Sequence, residues 1–158
     1  MTVQAVPTGY HTLTPYMTVR DAARAIEFYK QAFGAVERGA MKGPDGKVMH
    51  AELLIGDSIV MLADEQPQFG ALSPQSTGGA GMGLHIYVED VDSAFDRAVK
   101  AGAKVEMPVG DMFWGDRYGK LADPFGHKWS IATHKADLSA EEMERGMKAM
   151  MEDMPKSA

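Results

Sequence analysis

The stretch Trp114–Ile131, WGDRYGKLADPFGHKWSI, decides how this chain is read. Its second half spells a hairpin. Leu121 and Ala122 lead into Asp123-Pro124-Phe125-Gly126, and an apolar–polar alternation through His127, Trp129 and Ile131 leads out. Proline presets φ for a turn, and glycine supplies the positive φ that closes it. The first half crowds Trp114, Asp116, Arg117 and Tyr118 around glycines, which is dense chemistry for a loop.

Working outward, helix signals flank strand signals twice. Asp21 is an N-cap, Ala22, Ile26, Tyr29 and Phe33 recur at helical spacing, and Gly34 is the closing C′ residue. Strands are expected before it over 10–19, where Pro15 argues for an edge or bulge, and after it over 35–41, 47–55 and 58–63. Gly43–Gly46 and Gly56-Asp57 are the turns between them. The segment 65–81 is rich in Gly, Pro, Ser and Gln and reads as a linker loop.

The pattern then restarts. A strand over 82–88 precedes a helix capped by Asp90 or Asp92, which carries Val91, Phe95, Ala98 and Val99 and ends at Gly102. Further strands are expected over 104–108, 118–122 and 127–132. Val19-Arg20-Asp21 recurs as Val88-Glu89-Asp90, and each helix is followed by Val-Glu, at 36–37 and 105–106. Neither βαβββ unit buries its half-sheet alone, so two copies share a core. The fold class is α+β, one domain of paired βαβββ modules (9–64 and 82–134) joined by the linker 65–81. An extra C-terminal helix spans 139–152, announced by a Ser139/Glu142 capping box and a Leu138/Met143 staple. Its Met143, Met147, Met150, Met151 and Met154 form one stripe, read as a packing face.

Bulk properties narrow the function classes. No apolar run approaches the ~20 residues of a membrane span, and the N-terminus lacks a basic start followed by an apolar core. The absence of cysteine removes disulfides, thiolate ligands and a Cys nucleophile, and suits a cytoplasmic setting. A net charge of −6 without a Lys/Arg cluster makes nucleic acid a poor partner.

The two units, with PYMTVRDAARAIEFYKQAFGA opening the first and DPFGHKW near the end of the second, resemble the vicinal oxygen chelate superfamily. That superfamily holds the glyoxalase, bleomycin-resistance and ring-cleaving dioxygenase proteins. WGDRYGKLADPFGHKWSIATH followed by SAEEMERGM is similar to its PhnB-like branch. The resemblance implies homodimerisation, with modules paired within or across subunits. It also implies, for the enzymes, a divalent metal held by first- and last-strand side chains. The matching positions here are Thr14, Met61, Gly83 and Ser130. These are not the imidazoles and carboxylates such an ion needs, so the standard metal site is expected to be absent.

Strand parity suggests what the cavity holds instead. A two-residue turn at Gly56-Asp57 pairs Met61 with Glu52 and Ala63 with His50, and opposed residues share a face. His85 and Tyr87 share the face of Gly83, and Tyr16 that of Thr14. The expected ligand-binding set is Tyr16, His50, Glu52, His85 and Tyr87, with Trp114 and Arg117 approaching from the loop. His50, Glu52 and His85 are either a displaced metal site or polar groups bonded to one another or to a ligand. Glu52 and His85 are the candidates for acid–base work. Arg117 either anchors a carboxylate or phosphate or pairs with Asp111 or Asp116, and Trp114 is a stacking platform or a lid.

Three functions follow. The first is a metal-free, cofactor-free protein of the bleomycin-resistance type that binds a small organic molecule. The second is a lyase, isomerase or dioxygenase-type enzyme, using one displaced divalent metal per cavity or Glu52/His85 acid–base chemistry. The third is a structural or regulatory dimer with a filled cavity.

Overall fold

A computed structural model describes residues 3–154. Its order is β1 (Tyr16–Val19), α1 (Ala22–Phe33), β2 (Val36–Lys42), β3 (Val48–Ile55) and β4 (Ser58–Asp64), then a 3-10 turn (Pro67–Phe69) and a one-turn helix α2 (Pro74–Thr77). The second half runs β5 (Gly83–Tyr87), α3 (Val91–Ala101), β6 (Lys104–Asp111), β7 (Asp116–Ala122), β8 (Lys128–His134) and α4 (Ala140–Asp153). Two four-stranded sheets result, ordered β1-β4-β3-β2 and β5-β8-β7-β6. In each, the first strand of the half runs parallel to the last and the other neighbours are antiparallel. This is the α+β arrangement expected of paired βαβββ units with an added C-terminal helix.

The helices form where their caps place them. Asp21 accepts from the Arg24 N–H at 3.0 Å, and Gly34 ends α1 with φ +65°. Asp90, not Asp92, caps α3 through the Ser93 N–H at 3.1 Å. Each helix lays its apolar stripe on its own sheet, and the two helices pack against each other. Arg97 crosses that contact to donate to the Ala32 carbonyl at 3.0 Å. Gly119 is where β7 comes closest to α3, since a Cβ there would lie 2.6 Å from the Phe95 ring.

Asp123 sits at the joint between the halves and is only 6% exposed. Its carboxylate accepts from the Tyr29 hydroxyl of α1 at 2.7 Å and from the Trp129 indole N–H at 2.9 Å. It also accepts from the N–H groups of Phe125 and His127, both at 2.9 Å. The rings of Tyr29, Phe33, Phe125 and Trp129 close around it. His127 Nε2 bonds the Thr18 carbonyl on the free edge of β1 at 2.9 Å.

Several boundaries differ from the sequence reading. The first strand begins at Tyr16, because Pro15 offers no N–H to a ladder. The linker is not a bare loop. Glu65 accepts from the Ser73 N–H at 2.8 Å and from its hydroxyl, pinning two helical turns against the first half. These bonds from Ser73 hold the Glu65 carboxyl down at about 2. Strand β6 runs on past Pro108, with register shifts absorbing the missing donor. The methionines of α4 stay exposed instead of packing, while Gly146 lies against Phe113 in the turn between β6 and β7.

Replacing Asp123 by Ala leaves the Tyr29 hydroxyl and the Trp129 N–H unpaired in the core, and should cost about 3 kcal/mol or more. Tyr29→Phe leaves the carboxylate its other three donors and should cost about 1 kcal/mol. Denaturant unfolding of both variants measures the difference, and equal losses would show that Asp123 is not the shared acceptor.

Candidate functional site

Each sheet has one face packed by its helix and one left open, and strand parity assigns every side chain to one of them. On the first sheet Tyr16, Met61 and Glu52 lie in one cross-strand row. The Glu52–Met61 pairing is the one the Gly56-Asp57 turn demands. The Tyr16 hydroxyl meets His50 Nδ1 at 3.1 Å, and His50 Nε2 meets Glu52 Oε1 at 3.4 Å. The Tyr10 hydroxyl beside Glu52, and then His50, hold the Glu52 carboxyl below its usual range. It is an ionised, weakly basic group at neutral pH.

On the second sheet His85 opposes Ser130, which opposes Lys120. In the next rows stand Tyr87, Ala132 and Tyr118 on one side and Gly83, Lys128 and Ala122 on the other. His85 meets Tyr87 edge-on at 4.5 Å between ring centroids and stacks on Tyr118 at 5.8 Å. Trp114 touches Tyr118 edge-on at 5.4 Å. Four aromatic rings therefore share this open face, and Tyr87 is 62% exposed.

Asp116, 5% exposed, braces the cluster from one side. It accepts from the Trp114 N–H and the Tyr87 hydroxyl, both at 3.1 Å, and from His134 Nδ1 at 2.7 Å. Burial alone would raise its carboxyl, but the bonds from His134, Tyr87 and Trp114 outweigh that and hold it below its usual value. His134 is raised in return, by Asp116 first and Asp137 second. His85 is lowered by its burial, so its ring is neutral at pH 7.

The expected site residues thus fall into two groups. Tyr16, His50 and Glu52 meet on the first sheet, and His85, Tyr87 and Trp114 on the second. No hydrogen bond or ring contact among the described residues joins the groups. Arg117 joins neither. It lies on the helix-packed face, where its fork takes both Asp92 oxygens at 2.7 Å and Asp111 at 3.2 Å. Sequence reasoning misses Tyr118, Lys120 and Asp116 as site residues, although their even spacing in β7 puts them opposite in parity to core Leu121.

A cavity of about 380 Å³ opens on this face, lined by His85, Tyr118, Lys120, Lys128, Ser130 and Met82 among others. The divalent ion of the superfamily's enzymes does not fit the residues at its standard positions. Thr14 donates its hydroxyl to the His11 carbonyl at 3.2 Å, Ser130 is engaged with His85 at 2.7 Å, and Met61 and Gly83 offer no hard donor. Nor do three or more His, Asp or Glu gather into a metal-holding group among the described residues. His50 and Glu52 sit on one sheet and His85 on the other.

The Asp116–His134 pair gives a signed pH dependence. Asp116 is lowered, so its share of stability is present above about pH 4 and lost as pH falls through its folded value. His134 is raised, so its share is complete below about pH 6.5 and lost as pH rises through its folded value. Thermal unfolding of the native chain and of His134→Gln should therefore converge as pH rises from about 6.5 through the folded value of His134. A constant gap across that range would mean that His134 is not charged against Asp116.

Known proteins are similar to this chain in sequence and in fold. An uncharacterised protein of Mycobacterium bovis is 46% identical over 138 residues, covering 85% of this chain and 91% of that protein. The structure of an Arabidopsis thaliana gene product superposes with a TM-score of 0.63 at 28% identity, over 78% of this chain and 98% of that one. The PhnB protein of Bacillus cereus shares the fold, with a TM-score of 0.61 at 19% identity over 78% and 99% of the two chains. No helix among the described residues is long and apolar enough to cross a membrane. A model of the Glyoxalase/Bleomycin resistance protein/Dioxygenase superfamily matches residues 10–131, and the chain belongs to that superfamily.

Proposed function

We propose that this chain binds a small organic molecule on the open face of its second sheet, without the superfamily's standard metal, and that it works as a cytoplasmic homodimer. The observation that carries the reading is the ring cluster of His85, Tyr87, Trp114 and Tyr118, which stands beside a cavity instead of inside the core. A protein that needed these rings for stability would bury them. Rings held by Asp116 and Ser130 but left facing outward are pre-ordered for a flat ligand.

The dimer follows from the same faces. Tyr16 is 56% exposed, and Met41 on the first sheet and Tyr87 on the second are exposed with it, so both sheets leave apolar surface uncovered in one chain. Pairing modules across subunits covers those faces and brings the Tyr16–His50–Glu52 group of one copy toward the ring cluster of the other. A second reading, proton transfer at His85, is favoured by its neutral ring and its contact with Ser130. Glu52, held low by Tyr10 and His50, suits a base less well.

Thermal unfolding with a panel of aromatic compounds and with Mn, Ni, Zn and Fe(II) salts tests the proposal. A ligand at 100 times its Kd should add about 2.7 kcal/mol of stability. Stabilisation by an aromatic compound, lost in Tyr118→Ala and not accompanied by turnover, is the expected result. Stabilisation by a metal alone, lost in His85→Ala, would overturn it.

A further inference from the structure

The charges on the open face of the second sheet bear on the chemical class of its ligand. The protein as a whole is acidic, at −6. Yet the cavity on this face is lined by two lysines, Lys120 and Lys128, and one carboxylate, Glu106. Lys128 is paired with Glu106. Lys120 has no carboxylate partner among the described residues. On β7 it lies directly opposite Ser130 of β8, which lies opposite His85 of β5, so the three form one row. Gly83, one row away beside Lys128, has no side chain, and a Cβ there would meet nothing closer than 3.7 Å. The floor next to the lysines is therefore open.

The polar groups of this row leave hydrogens to donate. Ser130 lies 2.7 Å from His85 Nδ1. Whichever of the two donates, one hydrogen is left over for a ligand: His85 Nε2–H if the Ser130 hydroxyl donates, or the Ser130 hydroxyl hydrogen if Nδ1–H donates. Lys120 Nζ has three hydrogens and no acceptor capacity. One wall of the same cavity is apolar, formed by Tyr118 and Met82. Two lysines against one glutamate leave a surplus of one positive charge.

We infer that the ligand of this face is an aromatic monoanion, with a carboxylate or similar singly charged group on Lys120 and the His85–Ser130 pair and a flat apolar body on Tyr118. The inference rests on the proposal that this face binds a ligand at all. A dianion would set its second charge against Glu106, and a cation would meet Lys120 unscreened. The first sheet differs, since its Tyr16, His50 and Glu52 bond to one another around a carboxylate.

Calorimetric titration of the full chain with 2-naphthoate, 2-naphthalenemethanol and 2-naphthylmethylammonium separates the claims. The naphthoate should bind about tenfold or more tightly than the alcohol, because a charge-assisted hydrogen bond exceeds a neutral one by that order. The ammonium compound should bind most weakly. Lys120→Met should abolish the advantage of naphthoate over the alcohol, and Lys148→Met on α4 should change neither affinity. Equal affinities for naphthoate and alcohol, or a Lys120→Met chain that still prefers naphthoate, would overturn the anion and leave the ligand site standing. Failure of all three probes to bind would overturn both.

Discussion

Asp123 takes four hydrogen bonds inside the core, and the relation between the two halves depends on it. Two of its donors come from its own turn and one from Trp129, but the fourth is the Tyr29 hydroxyl of the first half. A buried carboxylate costs several kcal/mol unless it is fully satisfied, so the turn and α1 are stable only in this one relative position. His127, two residues beyond Phe125, extends the joint to the β1 edge. With the halves joined through their helices and this turn, the packed face of each sheet is committed to the core and the opposite face is left for function.

The two open faces carry different chemistry on the same backbone. On the first, a tyrosine, a histidine and a glutamate bond to one another, and the glutamate is held ionised. On the second, aromatic rings are braced by a buried Asp116, while the histidine is kept neutral and lysines flank it. The side chains at the standard metal positions are too poor as ligands to hold an ion, so the electrostatics of each face come from its own charged groups. That makes the second sheet a place for an organic anion. It also leaves Ser130, at one of those positions, to orient His85.

How much of the structure is legible in the sequence depends on how local each signal is. The Asp21/Gly34 and Asp90/Gly102 caps are readable because a cap is decided within a few residues, and the Gly56-Asp57 turn fixes the register that sets Glu52 beside Met61. The short first strand is not foreseen in full. Pro15 weakens the ladder there, and tertiary contacts decide how far a strand survives such a break. Arg117 is misplaced when its segment is read as loop. Once β7 begins at Asp116, the four-residue spacing from Arg117 to core Leu121 puts both on the helix-packed face. The same parity finds Tyr118 and Lys120. The acceptor role of Asp116 is beyond the sequence, since it joins residues from β5, the 112–115 turn and the end of β8.

The central claim is that the open face of the second sheet, and no other surface, receives the ligand. Amide chemical-shift mapping of the isotope-labelled chain with 2-naphthoate tests it most directly. The account predicts shifts confined to residues 83–87, 118–120 and 128–130. Shifts centred instead on α4 and Phe113, or on the groove between α1 and Pro124, would contradict it.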